Sequence, residues 1–141
     1  MIDPLWEGLS KSFKITLILG KIVIPVTLLV VALDKLELLP IISSYLSPLM
    51  SYLGLPGEAS LPLLLAYFLN IYAAIGALAV MSLDYHEITV LAVIILTSHS
   101  LLMEAPVLKF TGLSYVGSVS LRIIAGLFFG FLVNLGFLIF Y

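Results

Sequence analysis

The sequence predicts an all-α integral membrane protein, and its composition carries that prediction. Hydrophobic residues make up 62% of the 141 residues and charged residues 10%, and the mean hydropathy is +1.27. Soluble domains hold roughly 45–50% apolar and 25% charged residues, so a soluble fold of this length could not cover so much apolar surface. The chain has no cysteine, which excludes disulfides, thiolate metal sites and a cysteine nucleophile. Its net charge of −2 gives no reason to expect a nucleic acid polymer as a partner.

The first element expected is an interfacial helix over residues 1–14, followed by a membrane span. Apolar and charged side chains alternate there, and Trp6 is the expected anchor at the membrane surface. Residues 15–33 are apolar except for Lys21, and at about 1.5 Å per residue they can cross a hydrocarbon core of roughly 30 Å. The first residues lack the order of a secretory signal, so we expect this run to remain in the mature protein. Residues 15–141 are assigned to one transmembrane domain.

Residues 40–53 are apolar but too short to cross, at about 21 Å as a helix. They also carry a polar stripe of serines, so a re-entrant half-helix fits better than a span. The following Gly54-Leu55-Pro56-Gly57 contains two glycines and a proline, which suits a tight reversal and a new helix start. We therefore expect one re-entrant hairpin over residues 40–70, with residues 38 and 82 on opposite faces of the membrane.

The remaining apolar segments bring the expected number of spans to about four. Residues 59–83 carry no charge, and the small residues within 73–77 imply contact with another helix rather than with lipid. We interpret residues 84–87 as a loop, residues 88–103 as the next helix and residues 116–141 as the last span.

The last span carries a predicted helix-packing face. Arg122, Gly126, Gly130 and Asn134 recur at every fourth position, which aligns them on one side of a helix and includes a GxxxG pattern. Such a face lets another helix approach closely, and it could form a dimer contact. Arg122 could also pair with a buried glutamate, and that pairing would compete with a role of the glutamate in a site.

Two glutamates mark the candidate functional site. Glu58 and Glu104 each precede an alanine inside a break that contains glycine, proline or serine, between apolar runs. Charged groups at membrane depth are costly, and irregular backbone is tolerated there only where it is buried in protein or faces a wet cavity. The candidate substrate-binding or ion-binding residues are Gly57, Glu58, Asn70, Ser98, His99, Ser100 and Glu104.

Each candidate also has a purely structural interpretation. Glu58 could instead satisfy free N–H groups at the start of a helix, and Glu104 could be an ordinary interfacial charge. His99 could bind a metal or relay a proton, or it could be a hydrogen-bonded side chain among serines. Asn70 could join two helices rather than touch a ligand. His86 is interpreted as part of a solvated loop.

These segments resemble the Gate, or nucleoside-recognition, family of membrane proteins, which includes spore maturation proteins A and B and the gate segments of ferrous iron transporter B. The likeness rests on Gly54-x-Pro56-x-Glu58 before an apolar helix, the small-residue run 73–79, and Ser98-His99-Ser100-Leu101-x-x-Glu104-x-Pro106 with Lys109 and Gly112. The Gly-x-x-Glu-Ala hairpin tip is also similar to that of concentrative nucleoside transporters, in which such hairpins occur in two opposed copies around a central site.

The resemblance implies a half-transporter that pairs two oppositely oriented gate units around a midplane site for a small polar solute or cation. We therefore expect an antiparallel homodimer that works by alternating access, with a parallel dimer as the alternative arrangement. The alternative function is a membrane assembly subunit of the spore-maturation type that transports nothing. No phosphate loop, catalytic triad or metal-ligand spacing stands out, so we expect neither enzymatic activity nor a cofactor. We expect a multi-pass protein of the plasma or inner cell membrane, embedded in the lipid bilayer.

Overall fold

The computed structural model describes residues 3–101 and 114–140, with side chains from Trp6 onward. Its helices, in chain order, are α1 (Asp3–Lys35), α2 (Leu38–Tyr52), α3 (Ser60–Phe68), α4 (Ile71–Leu78), α5 (Tyr85–Ser98) and α6 (Tyr115–Phe140), with a 3-10 turn at Gly57–Ala59 before α3. The described residues form no strand, and the predicted all-α class is confirmed.

Two helices are long and apolar enough to cross a membrane, namely α1 from Trp6 onward and α6. The pair Leu38–Tyr52 and Gly57–Phe68 is apolar enough to supply a third, but it bends by 97°, the geometry of a broken span or a re-entrant loop. At 14 residues, α5 is apolar but shorter than a span. The predicted membrane class is thus confirmed. Within the described residues, two or three segments are long enough to span, whereas the sequence predicted about four.

The first helix is continuous, so the described part of residues 1–14 is not set apart from the span by a break. Its N-terminal half is exposed on every side, and there Glu7 and Lys11 form an ion pair at 2.6 Å. Its C-terminal half packs on α4, where the Thr27 hydroxyl donates a hydrogen bond to the Gly76 carbonyl at 2.8 Å. The small residues of α4 are buried, which confirms the predicted helix contact of this run.

The helices α3 and α4 form a short hairpin whose tip is Leu69 and Asn70. The Asn70 side-chain oxygen accepts a hydrogen bond from the Ala73 N–H at 3.0 Å and so caps the start of α4. With nine and eight residues, the two arms are about 14 and 12 Å long, too short to cross a membrane. The apolar run 59–83 is therefore broken in its middle.

Both ends of the segment from α2 to α4 lie at the C-terminal end of α1. Leu39 in α2 and Ser82 after α4 line one cavity together with Asp34 of α1. Because Gly76 lies beside Val23 and the chain after α4 reaches Asp34, α4 runs in the same direction as α1. The expectation that the two ends of this segment lie on opposite faces is wrong, since helices this short return the chain to the end where it entered.

The helices α5 and α6 pack antiparallel through the face predicted on the last span. Gly126 and Gly130 are both buried there. A Cβ on Gly126 would lie 2.7 Å from the Ser98 hydroxyl oxygen, and one on Gly130 would lie 2.7 Å from Ile94 Cδ1. The face therefore makes a contact within the chain, which leaves other surfaces for any contact between chains.

Candidate functional site

The bend after α2 is a Schellman motif. The Leu55 N–H donates to the Met50 carbonyl at 3.0 Å and the Gly54 N–H donates to the Ser51 carbonyl at 3.1 Å, which closes the helix. Gly54 has a φ of +69°, a left-handed conformation that glycine adopts without the strain a Cβ would cause. Leu55 is buried in the same apolar cluster as Met50. The predicted turn is thus confirmed, and Gly54 is the residue that makes it possible.

Gly57 brings Glu58 against the serine-bearing side of α2. A Cβ on Gly57 would lie 2.6 Å from the Ser43 carbonyl oxygen and 3.3 Å from Ser47 Cβ, so a larger residue would push the turn away from α2. Glu58 follows in the 3-10 turn, but its carboxylate accepts no hydrogen bond from the described residues. Glu58 therefore caps no described N–H group, although it lies in the first turn, where an acidic side chain is favourable, and it lines the adjoining cavity.

Glu58 and Asp34 line two adjoining cavities at the C-terminal end of α1. The larger holds about 420 Å³ beside α2, and the smaller holds about 200 Å³ between α1 and the chain after α4. The larger volume is in the range of roughly 300–1,000 Å³ that small-molecule sites occupy. Its lining consists of Asp34, Leu39, Pro40, Ser43, Ser44, Ser47, Pro56, Gly57 and Glu58.

The cavity wall holds several acceptors that lack partners. Within the described residues, neither the Asp34 nor the Glu58 carboxylate has an ion-pair or hydrogen-bond partner. The Ser43 hydroxyl oxygen is buried and has no partner there either. Pro48 lies inside α2 and has no N–H, so the Ser44 carbonyl lacks the donor that a helix normally supplies four residues later. The site thus combines two carboxylates with a buried hydroxyl oxygen that has no partner in the described residues.

A second polar region forms where the α3–α4 tip meets the end of α5. The Ser100 N–H donates to the Ala66 carbonyl at 2.8 Å. In a continuous helix this carbonyl would accept from the N–H of Asn70, but α3 ends before that residue. Ser98 is completely buried, and its hydroxyl is hydrogen-bonded to the Tyr67 hydroxyl at 3.1 Å. Three broken helix ends therefore meet at these serines.

Arg122 holds the C-terminal end of α5. Its guanidinium donates to the Thr97 carbonyl at 3.4 Å and to the His99 carbonyl at 3.3 Å, where a cation is favourable at a helix C-terminus. The His99 ring is itself hydrogen-bonded to the Ile95 carbonyl, with its Nδ1 at 3.2 Å. Glu104, the other candidate expected in this region, lies outside the described residues.

The two polar regions lie at opposite ends of α3. Glu58 precedes the helix and Ala66 comes eight residues later, which corresponds to about 12 Å along a helix. One chain therefore gathers Ser98, His99 and Ser100 near the hairpin tip that Asn70 caps, but it does not bring them together with Glu58 and Gly57. The candidates form two regions instead of the single site expected.

Sequence analysis missed the role of Asp34 and of Ser43 in α2. Asp34 follows a long apolar run and so has the pattern of a boundary residue, a pattern that does not reveal what packs beside it. Ser44 and Ser47 of the predicted polar stripe do line the cavity, and Ser43 lies next to that stripe, which was the available signal that this side of α2 faces a polar space.

The contact between His86 and Asn134 was also missed. His86 Nε2 lies 2.9 Å from the Asn134 side-chain oxygen, and the His86 ring centroid lies 4.7 Å from that of Phe137. Asn134 is only 6% exposed and occupies the space beside Gly54, where its Cγ would lie 2.6 Å from an added Cβ. The prediction of a solvated His86 is wrong, because Asn134 of α6 packs against both the start of α5 and the bend at Gly54.

Comparison with known proteins gives this chain a family. A family model described as Gate, nucleoside recognition, matches residues 16–122. The chain belongs to the Gate family. The resemblance inferred from the two glutamate breaks is confirmed, and the matched region of this Gate protein contains both Glu58 and His99. The uncharacterized membrane protein YvoD of Bacillus subtilis (strain 168) is 35% identical over 116 residues, which cover 82% of this chain. The Gate protein spans only 37% of the length of that relative. No solved structure gives a significant match.

Proposed function

We propose that this Gate protein is a half-transporter for a small polar solute or cation, and that two copies close one site. The observation that carries the proposal is the cavity of Glu58 and Asp34 at the base of the short α3–α4 hairpin. Broken and re-entrant helices occur in membrane proteins where they line a solute path. Carboxylates without partners in the described chain supply such a path with binding groups. The proposal places the protein in the cell membrane with several spans, and it includes no enzymatic step.

The α3–α4 hairpin connects the cavity with the interior of the membrane. Gly76 lies beside Val23, and the hairpin tip at Asn70 is six residues earlier in the chain, about 9 Å closer to the N-terminus of α1. The tip is thus well removed from the cavity at the C-terminal end of α1, and the proposal puts the polar region around Ser98 inside the membrane. A solute that binds first at Glu58 would pass along α3 to that region, and alternating access would release it on the other side.

Two copies are proposed because the described residues contain one hairpin of this kind. An antiparallel pair would give each face of the membrane one Asp34 cavity that leads to the middle. The Bacillus subtilis relative is nearly three times as long as the region it shares with this chain, which leaves room for a second unit of the same size. Since the small-residue face of α6 packs on α5, the contact between copies would use the exposed apolar faces of α1 and α6.

Uptake into proteoliposomes tests the transport proposal. The reconstituted protein should take up radiolabelled ethanolammonium, uridine or sodium ion faster than protein-free vesicles do. Glu58→Gln removes a charge with little change in volume, so uptake by this variant should fall to background. Glu37→Gln, which changes an exposed glutamate outside both cavity linings, should transport normally. No uptake of any of the three by the wild-type protein, or full uptake by Glu58→Gln, would contradict the proposal.

Reporter fusions test the antiparallel arrangement. Lys11, Lys14 and Lys21 favour a cytoplasmic N-terminus, but the chain has only six lysines and arginines in total, so the charge bias that fixes orientation is weak. C-terminal fusions to one reporter active in the cytoplasm and to another active outside it should both give signal. Signal from one side alone would show that all copies share one orientation.

A membrane assembly subunit is the second candidate function. It is favoured by the α5–α6 contact, where Ser98, Arg122 and Asn134 all make hydrogen bonds within the chain. Polar side chains used in this way stabilise the fold and do not require a solute. A stable complex with a different membrane protein, together with no uptake of any tested solute, would favour this function over transport.

A further inference from the structure

We infer that the cavity of Glu58 and Asp34 binds the protonated primary amine of a small organic cation. The inference gives the proposed half-transporter a ligand class and rests on that function only for the transport step, because binding is a property of the cavity itself. Charge, unpaired acceptors and volume each select this class of ligand.

The charge of the cavity calls for a cation. Neither Asp34 nor Glu58 pairs with a described lysine or arginine, and Lys35, the neighbour of Asp34 in the chain, is exposed and makes no ion pair within that part of the structure. Asp34 is exposed and Glu58 partly buried in the free chain, and a neutral ligand such as a nucleoside would cover both carboxylates and leave them unpaired. Because an unpaired charge away from water is strongly unfavourable, a cationic ligand is the better match.

The other polar groups of the wall favour a ligand with N–H donors. The buried Ser43 hydroxyl oxygen has no partner in the described chain, and the Ser44 carbonyl lacks its helical donor because of Pro48. Together with the two carboxylates, these groups offer an excess of acceptors. A primary ammonium group has three N–H donors, as the lysine side chain does, whereas a quaternary ammonium group has none. Hydrogen bonds from such a donor to a carboxylate are among the strong ones in proteins.

The volume of the cavity favours an organic cation over a bare metal ion. Within the described residues, no three His, Cys, Asp or Glu side chains come together, so the cavity lacks the cluster of charged side chains that a dedicated calcium site has. The larger cavity holds about 420 Å³ and includes apolar wall residues such as Leu39 and Pro40. Space of this size and character suits an amine with a small carbon body and a hydroxyl group.

Calorimetric titration of the full chain in detergent micelles tests the inference with a matched pair of cations. Ethanolammonium and choline share a single positive charge and a hydroxyethyl group, but three methyl groups in choline replace the three N–H donors of ethanolammonium. We expect saturable binding of ethanolammonium at one site, with an affinity at least about tenfold above that of choline. Uridine, and sodium chloride at the same ionic strength, should give no saturable heat.

Four variants locate the binding at the cavity. Asp34→Asn and Glu58→Gln should each weaken ethanolammonium binding roughly ten- to hundredfold, because each removes a charged acceptor. Ser43→Ala should weaken it about threefold or more. Ser51→Ala is the matched control, since Ser51 is exposed on the same helix, outside the cavity lining, and its hydroxyl bonds to the main chain. Circular dichroism and gel filtration establish whether each variant is folded. If Glu58→Gln does not fold, the affinities of Asp34→Asn and Ser43→Ala for ethanolammonium test whether the amine binds in the cavity.

The outcomes separate the ligand class from the transport function. No saturable binding of ethanolammonium, equal affinity for choline or uridine, or unchanged affinity in Asp34→Asn would overturn the inference. Uptake of uridine by a protein that does not bind ethanolammonium would support the transport proposal and contradict the amine site. Saturable amine binding without uptake of any solute would support the amine site and contradict the transport proposal.

Discussion

Replacing Gly54 by alanine perturbs the bend that places Glu58. Two effects add at this position. A non-glycine residue in the left-handed region costs about 1–2 kcal/mol, and Gly54 has a φ of +69°. The new Cβ would also overlap the Asn134 side chain, whose Cγ would lie only 2.6 Å away. Displacing Asn134 breaks its hydrogen bond to His86 and leaves a buried amide unsatisfied, at about 1–3 kcal/mol.

We therefore expect Gly54→Ala to destabilise the protein by about 2–5 kcal/mol. The measurement is unfolding in mixed micelles, with SDS added to the solubilised protein and helix content followed by circular dichroism. In an Asn134→Ala background the overlap is gone and only the backbone effect remains, so the same substitution should cost about 1–2 kcal/mol.

Gly136→Ala provides the matched control for this pair, because no atom lies within 4 Å of its added Cβ. It should unfold like the wild-type protein or slightly later. Equal stability of Gly54→Ala and wild type would refute the proposed fit of Asn134 beside the bend. An identical loss in both backgrounds would show that the side-chain overlap contributes nothing.

Three further predictions follow from other contacts. Gly126→Ala should lower the unfolding midpoint, because its Cβ would lie 2.7 Å from the buried Ser98 hydroxyl oxygen, while Gly136→Ala on the same helix should not; equal midpoints would contradict the packing of α6 on α5. Asn70→Ala should cost about 1 kcal/mol by removing the cap of α4, and Asn70→Ser should restore most of it; a neutral Asn70→Ala would mean that the cap does not stabilise the tip. Single cysteines at Leu38 and Ser82 should react with an impermeant maleimide from the same side of the membrane in any one orientation of the chain; labelling from opposite sides would show that the segment between them crosses.

Local chemistry made the bend after α2 and the packing face of α6 predictable. Two glycines and a proline within Gly54–Gly57 predict a reversal, and the structure places a Schellman motif there. The four-residue spacing of Gly126 and Gly130 predicts close helix packing, and α5 is the helix that packs on them. In both cases the residues that carry the sequence signal lie within a few positions of one another.

The hairpin tip and the partners of the cavity could not be read in the same way. The absence of charged residues from 59–83 hid the helix break at Leu69 and Asn70, although an asparagine is a favoured N-cap and was the signal available there. Asp34 and Glu58 are 24 positions apart and line the same cavities only because the bend after α2 returns Gly57 to the side of Ser43. His86 and Asn134 likewise meet through the antiparallel packing of α5 and α6. Such contacts depend on topology, which a local pattern does not specify.

Ligand protection of a cysteine in the cavity wall tests the central claim most directly. The chain has no cysteine of its own, so a single Ser47→Cys variant reports without background, and Ser51→Cys on the same helix is the control outside the cavity lining. Both are expected to react with an impermeant maleimide in proteoliposomes. Ethanolammonium should slow the reaction of Ser47→Cys in a saturable manner and leave Ser51→Cys unchanged, as expected if the Glu58 cavity is where a solute binds. Equal labelling of Ser47→Cys with and without ethanolammonium, and with and without uridine, would contradict the assignment of this cavity as the solute site.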